Sequence, residues 1–277
     1  MRQLRHVVQT TSGLPTSDGA GVRLTRIIGS PEINMVDPFL LLDTFESDQP
    51  DDYIGGFPSH PHRGFQTVTY LLEGRMRHKD SVGHEGVIEP GGVQWMSAGR
   101  GVVHSEMPEQ ENGVLFGFQL WVNLPASEKM SAPDYQEFPA SELPVESLSN
   151  GGSVKVIAGR TNQGTEGPVH IAATDPLYLD VRLDKGTTFQ QNIPATHAGF
   201  VYVIDGSVTI GEDVAEKSLG VLGDGDFLDV QAGSKGARFL LIAGKRLDEP
   251  VARGGPFVMN TKAEIVQAFE DYNNGQF

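Results

Sequence analysis

Gly55-Gly56-Phe57-Pro58-Ser59-His60-Pro61-His62 and, further along, Gly99-Arg100-Gly101-Val102-Val103-His104-Ser105-Glu106 decide the reading of this chain. On an extended strand, residues i and i+2 point to one face. His60 and His62 can therefore reach one ion. His104 and Glu106 repeat the geometry with an imidazole and a carboxylate. Two such pairs on facing strands offer three nitrogens and one oxygen. An octahedral ion held in that way keeps about two positions open, which suits a first-row metal that binds substrate or oxygen. Each pair lies beside glycines, Gly55-Gly56 and Gly99-Arg100-Gly101, as the ends of barrel strands require. Eight histidines in 277 residues are no excess, so the spacing carries the expectation and not the count. Zinc enzymes use the same donors, so the spacing does not name the ion.

Around these pairs the pattern is mostly β. Val22–Ile28 and Pro38–Leu42 read as early strands, and Thr67–Leu72 ends at the turn Glu73-Gly74. From Val114 to Val122 the residues Val114, Phe116, Phe118, Leu120 and Val122 fall on one face. The polar stretch from Pro125 to Gly152 reads as a linker. Strand signals resume at Lys155–Ala158, Leu177–Leu183, Phe200–Ile204, Ser207–Ile210, Phe227–Val230 and Arg238–Ala243, with Asp205-Gly206 expected as a tight hairpin turn. Only the end reads helical. Thr261-Lys262-Ala263-Glu264 is a capping box, Ile265, Ala268/Phe269 and Tyr272 follow at helical spacing, and Asn273-Asn274-Gly275 stops the helix. A weak internal repeat sets Glu73-Gly74, Gly91-Gly92 and Ala98-Gly99 against Asp205-Gly206, Gly225-Asp226 and Ala232-Gly233. Two similar small β-barrels fit this better than one large sandwich. The expected division is residues 1–135, carrying the metal site, and residues 136–277, ending in the helix.

Composition narrows the function. With 38% hydrophobic and 21% charged residues the chain can build a core, and it is neither disordered nor fibrous. Its net charge of −15 disfavours direct binding to nucleic acid or to anionic lipid. The absence of cysteine excludes disulfides, iron–sulfur clusters, Cys-ligated zinc and a cysteine nucleophile. Residues 1–13 hold no apolar run of the kind a secretory signal needs, and no run approaches the ~20 residues of a spanning helix. We expect a soluble protein that stays off membranes, cytoplasmic, or nuclear in a eukaryote.

Longer text carries a resemblance. Gly55 to Phe65, Tyr70-Leu71-Leu72-Glu73-Gly74, Gln94-Trp95-Met96 through Glu106, Asp37-Pro38-Phe39-Leu40-Leu41-Leu42-Asp43 and Gly255-Pro256-Phe257-Val258-Met259-Asn260-Thr261 resemble the pirin family of the cupin superfamily. The resemblance implies an all-β bicupin, two tandem cupin β-barrels with a short C-terminal helix and metal only in the first. It implies His60, His62, His104 and Glu106 as ligands and iron, as Fe(II), as the usual metal. Manganese, nickel, cobalt, copper or zinc stay open, because affinity at nitrogen sites follows the general metal order. It further implies quercetin 2,3-dioxygenase activity, with a flavonol-like aromatic and dioxygen as substrates and Glu106 as catalytic base. The alternative it carries is a non-enzymatic, redox-sensing module or transcription co-regulator that docks a protein partner.

The sequence departs from the pattern in two places. Gln66 stands where many cupins place a glutamate. In the second barrel Arg238 and Leu240 occupy the positions that repeat spacing assigns to His104 and Glu106, and neither can ligate a metal. That barrel is expected to be structural or a docking surface. His78 and His84 flank the polar turn Lys79-Asp80-Ser81-Val82-Gly83 and are expected in the loop or behind a ligand. His170 and His197 are expected at the surface or in a core, Trp95 and Met96 in a core with an aromatic wall for a flat substrate as the alternative, and Arg100 in a pair with a carboxylate with an anionic substrate as the alternative.

Overall fold

The computed structural model describes residues 2–277. Among the described residues the chain is all-β apart from one short 3₁₀ turn and one C-terminal helix, and it forms two compact units. One comprises residues 14–30, 39–140 and 247–277, and the other residues 1–13, 31–38 and 141–246. The units are therefore not the two consecutive halves of the expectation. The first strand, Val7–Thr11, pairs with Ser218–Leu222, and the C-terminal segment joins the unit built from residues 39–140. Long-range strand pairing, which no local pattern encodes, moves both termini across the expected boundary.

The unit that holds the histidine pairs contains three antiparallel sheets, the smallest being the C-terminal hairpin of Ala252–Gly254 and Phe257–Met259. A seven-stranded sheet runs in the order Asp134–Phe138, Val93–Ser97, Phe65–Glu73, Leu115–Asn123, Phe39–Ser47, Val22–Ile28 and Leu14–Asp18. A four-stranded sheet runs Phe57–His62, Val102–Pro108, Met76–Asp80 and Glu85–Ile88. Asp134–Phe138 lies inside the stretch expected as linker. It is a half-buried edge strand, and such a strand needs no clean alternation. On Leu115–Asn123 the expected apolar face is buried at Phe118, Leu120 and Val122, while Val114 precedes the strand. The opposite face, with Leu115, Gln119 and Trp121, proves to line the interior.

The other unit is one sheet of nine strands. Its interior is filled by aliphatic and aromatic side chains, among them Val154, Leu179, Val201, Phe239 and Leu241. Asp205-Gly206 does not turn the chain. It sits inside the continuous strand His197–Ile210, with Gly206 at φ +75° and register shifts on either side. The positive φ that a hairpin would use makes a bulge here, which bends the strand and lets it change partners. Arg238 and Leu240 lie on the strand face opposite Ala237, Phe239 and Leu241, which fill the core. The guanidinium of Arg238 is bidentate on Asp180, at 3.1 and 2.7 Å. Neither residue gives this barrel a metal ligand.

The helix Lys262–Asn273 has its capping box, with Glu264 N–H donating to Thr261 Oγ1 at 3.2 Å and the Glu264 carboxylate accepting from Thr261 N–H at 2.8 Å. Ile265 and Ala268 are buried against Phe257 and Met259. Among the described residues no helix is long and apolar enough to cross a membrane.

Candidate metal centre

Register brings the two pairs together. Val102–Pro108 is flanked on one side by Phe57–His62, with His104 opposite His60, and on the other by Met76–Asp80, with His104 opposite Asp80 and Glu106 opposite His78. Residues directly opposite on an antiparallel pair share a face. One face of the small sheet thus carries His60, His62, His104, Glu106, His78 and Asp80. The ring centroids of His60, His62 and His104 lie 4.4–4.9 Å apart. Their ligand-capable nitrogens all lie within 4.8 Å of one another, and this is the one such histidine and carboxylate cluster among the described residues.

The tautomers of two rings follow from their partners. His60 Nδ1–H donates to the Pro58 carbonyl at 2.8 Å, and His62 Nδ1–H donates to the Pro256 carbonyl at 3.2 Å. A carbonyl can only accept, so in each neutral ring Nε2 is left as a lone pair. Those two Nε2 atoms face each other at 3.1 Å. The third, Nε2 of His104, is buried with no hydrogen-bond partner. Burial, reinforced by the neighbouring His60 imidazole, pushes His62 down to about 3. Burial and the neighbouring histidines push His104 well below the usual histidine range. Both are therefore neutral near pH 7. Two lone pairs face to face, beside a third buried nitrogen that no protein group satisfies, are an arrangement that a cation completes. The residues present fit a divalent transition metal.

Glu106 lies two residues beyond His104 and is buried, outside the cluster of three nitrogens. Its Oε2 accepts from Gln119 Nε2 at 3.1 Å. Thr69 Oγ1 lies 2.8 Å from Glu106 Oε1 and 2.6 Å from Gln119 Oε1, and its single proton serves one of the two. Sequence reasoning missed Thr69 and Gln119. Their one signal is polarity on strands whose neighbours are apolar. Gln66 has no part in the site, because it lies on the face of its strand opposite Thr69.

His78 and His84 are not in the cluster. The side chain of His78 is buried in a strand, 3.5 Å from His104 between their Nδ1 atoms, and that of His84 is partly exposed. Burial alone would raise the Asp80 carboxyl, but hydrogen bonds from His84 and His78 outweigh it and hold the group below the usual range. Arg100 does not form the expected carboxylate pair. It is exposed, and its backbone is what is engaged, the N–H on Ser131 and the carbonyl accepting from Arg63 Nε at 2.5 Å. His170 is exposed, and His197, Trp95 and Met96 are buried.

A cavity of about 680 Å³ opens onto His60, His62 and Glu106. Leu24, Leu41, Phe45, Phe57 and Trp121 supply its apolar walls. Arg26 and Asp43 face each other on the wall as a bidentate ion pair, at 3.0 and 2.7 Å. Burial pushes the Asp43 carboxyl up to about 6 against the pull of Arg26.

The comparisons with known proteins agree with this fold. The pirin family model matches residues 21–122, and a model described as the pirin C-terminal cupin domain matches residues 178–277. A pirin-like protein of Caulobacter vibrioides is 55% identical over 99% of both chains. Human pirin is 48% identical over 94% of this chain and 89% of its own. The crystal structure of a quercetin 2,3-dioxygenase from Acinetobacter baumannii superposes with a TM-score of 0.89 at 33% identity, covering 99% of this chain and 98% of that one.

Proposed function

The chain belongs to the pirin family, and from that premise we propose that it is an iron-dependent dioxygenase that opens the ring of a flavonol-like aromatic. The observation that carries the reading is the convergence of three histidine nitrogens beside an aromatic-walled cavity of about 680 Å³. The similarity to the Acinetobacter quercetin 2,3-dioxygenase supports the substrate class. His60, His62 and His104 hold the metal, with Glu106 as the fourth ligand and the base. A bound divalent metal supplies a Lewis-acidic centre for the substrate's enol oxygen and for dioxygen.

The chain's own residues do the rest. Trp121, Phe45 and Phe57 present flat apolar surfaces that hold a planar ring system and keep water from it. Glu106, oriented by Gln119 and Thr69, takes the enol proton on a carboxylate oxygen. Two carbon–carbon bonds of the substrate break, the carbon between them leaves as carbon monoxide, and both atoms of dioxygen enter the products.

The test is carbon monoxide release and oxygen uptake on a flavonol. Apo protein reloaded with iron, manganese, nickel, cobalt, copper or zinc is run beside His104→Ala. Turnover that requires one metal and vanishes in the variant supports the reading. Stoichiometric loading without turnover for every metal overturns the enzymatic reading and leaves a metal-holding binding module.

A further inference from the structure

The outer nitrogens of His60 and His62 rest on carbonyls, which can only accept. That of His104 faces another imidazole, which can donate or accept. Something must fix the direction. Asp80 Oδ1 accepts from the backbone N–H groups of Val82, Gly83 and His84 at 3.0, 3.0 and 2.9 Å. Its Oδ2 faces His78 Nε2 at 3.3 Å and His84 Nδ1 at 2.9 Å. Tyr135 lies against both rings, 4.7 Å from His78 and 5.2 Å from His84 at small interplanar angles, and so holds their planes.

We infer that Asp80 and His78 are positioning residues that select the metal-binding tautomer of His104. The inference rests on the metal centre described above and uses no assumption about the substrate. A carboxylate accepts only, so His78 carries its proton on Nε2. The Nδ1 of a neutral His78 is then an acceptor, and it takes the Nδ1–H of His104 across 3.5 Å. That leaves the buried Nε2 of His104 as a lone pair, the atom with no protein partner. A carboxylate two imidazoles away thereby sets the donor that the metal sees, a longer form of the carboxylate–histidine–metal arrangement.

Asp80→Asn reverses the chain. The amide oxygen keeps the three backbone N–H groups, so the NH₂ faces His78 Nε2 as a donor. His78 must then carry its proton on Nδ1, and His104 on Nε2. His78→Phe keeps a ring beside Tyr135 and removes the acceptor. Cobalt(II) affinity of the full-length protein, measured by competition with a chelator, should fall ~10–100-fold in each variant. The double variant should lose no more than the larger single loss, because both act through one ring. The visible absorption of the cobalt form should shift in each.

Long-range ¹⁵N–¹H spectra of the apo wild type read the tautomers directly, with Nδ1–H expected for His104 and Nε2–H for His78. The opposite tautomer at His104 overturns the inference, as do folded variants that bind cobalt as tightly as the wild type. A wild type that takes up no cobalt removes the metal reading itself. The tautomer spectrum still decides this inference, including where a variant fails to fold.

Discussion

Lys129→Met removes a buried cation that ties three parts of the metal-bearing unit together. Lys129 is 1% exposed, and its ammonium donates to the carbonyls of Gly64 and Val258 at 2.7 and 2.9 Å and to Asn123 Oδ1 at 2.7 Å. All three of its protons are used. Burial pushes the group from 10.5 down to about 8, partly countered by the charges of Glu249 and Glu264. That lowering corresponds to about 3 kcal/mol borne by the folded state at pH 7. Methionine fills the volume and relieves this cost, but it orphans three acceptors at roughly 2 kcal/mol each. The net expectation is a loss of about 3 kcal/mol, or a melting temperature lower by about 6–12 °C. Both tryptophans, Trp95 and Trp121, lie in this unit, so urea unfolding followed by their fluorescence reports it. The pH dependence adds a signature. Between pH 8 and 10.5 the unfolded chain keeps the Lys129 proton and the folded one has released it, so wild-type stability gains with rising pH. The methionine variant lacks that gain, and the gap between the two should widen across the window. A variant as stable as the wild type at pH 7, or a gap that narrows above pH 8, would refute the reasoning.

Three further outcomes are expected. Gly64→Ala places a Cβ against the Val258 carbonyl at a residue held at φ +86°, and urea unfolding should show a loss of about 2–4 kcal/mol. Trp121→Ala removes a cavity wall, so flavonol KM should rise ~10-fold while kcat stays within a few-fold, since the ring binds substrate and transition state alike. Arg238→Met takes the bidentate partner from Asp180. Calorimetry should show the other unit destabilised by about 3–5 kcal/mol, with cobalt affinity at the histidine cluster unchanged.

The chain reveals most where a residue's role is local. The capping box at Thr261 is a contact between near neighbours, and the structure contains it. His60 and His62 share a face because a period of two along a strand is a local property, and cross-strand register, which is not local, adds His104. Asp205-Gly206 misleads because a hairpin and a bulge both need a positive φ at glycine, and only the 14-residue strand around it decides between them. Leu115–Asn123 is buried on both faces, so alternation picks out the more apolar face and hides Gln119 and Trp121. His78-x-Asp80 has the same i, i+2 spacing as His60-x-His62, yet the polar turn that follows disguises it as loop.

What the local pattern omits is the support for the ligands. Each histidine needs an acceptor for its outer nitrogen, and the three acceptors come from three places. Pro58 lies on the strand of His60 itself, His78 on the neighbouring strand, and Pro256 in the C-terminal hairpin. Pro256 is far from His62 in sequence, so nothing near either residue signals the bond. The hairpin must nevertheless stay in place for His62 to keep its tautomer. Lys129 joins Val258, two residues beyond Pro256, to Gly64, two residues beyond His62. The Arg63 guanidinium adds a second tie, to Asp271 at 2.7 Å and onto the ring of Phe277 at 4.4 Å. The C-terminal segment is thus structural to the metal centre although it supplies no ligand. That is a physical reason for it to fold into the unit that carries the histidines.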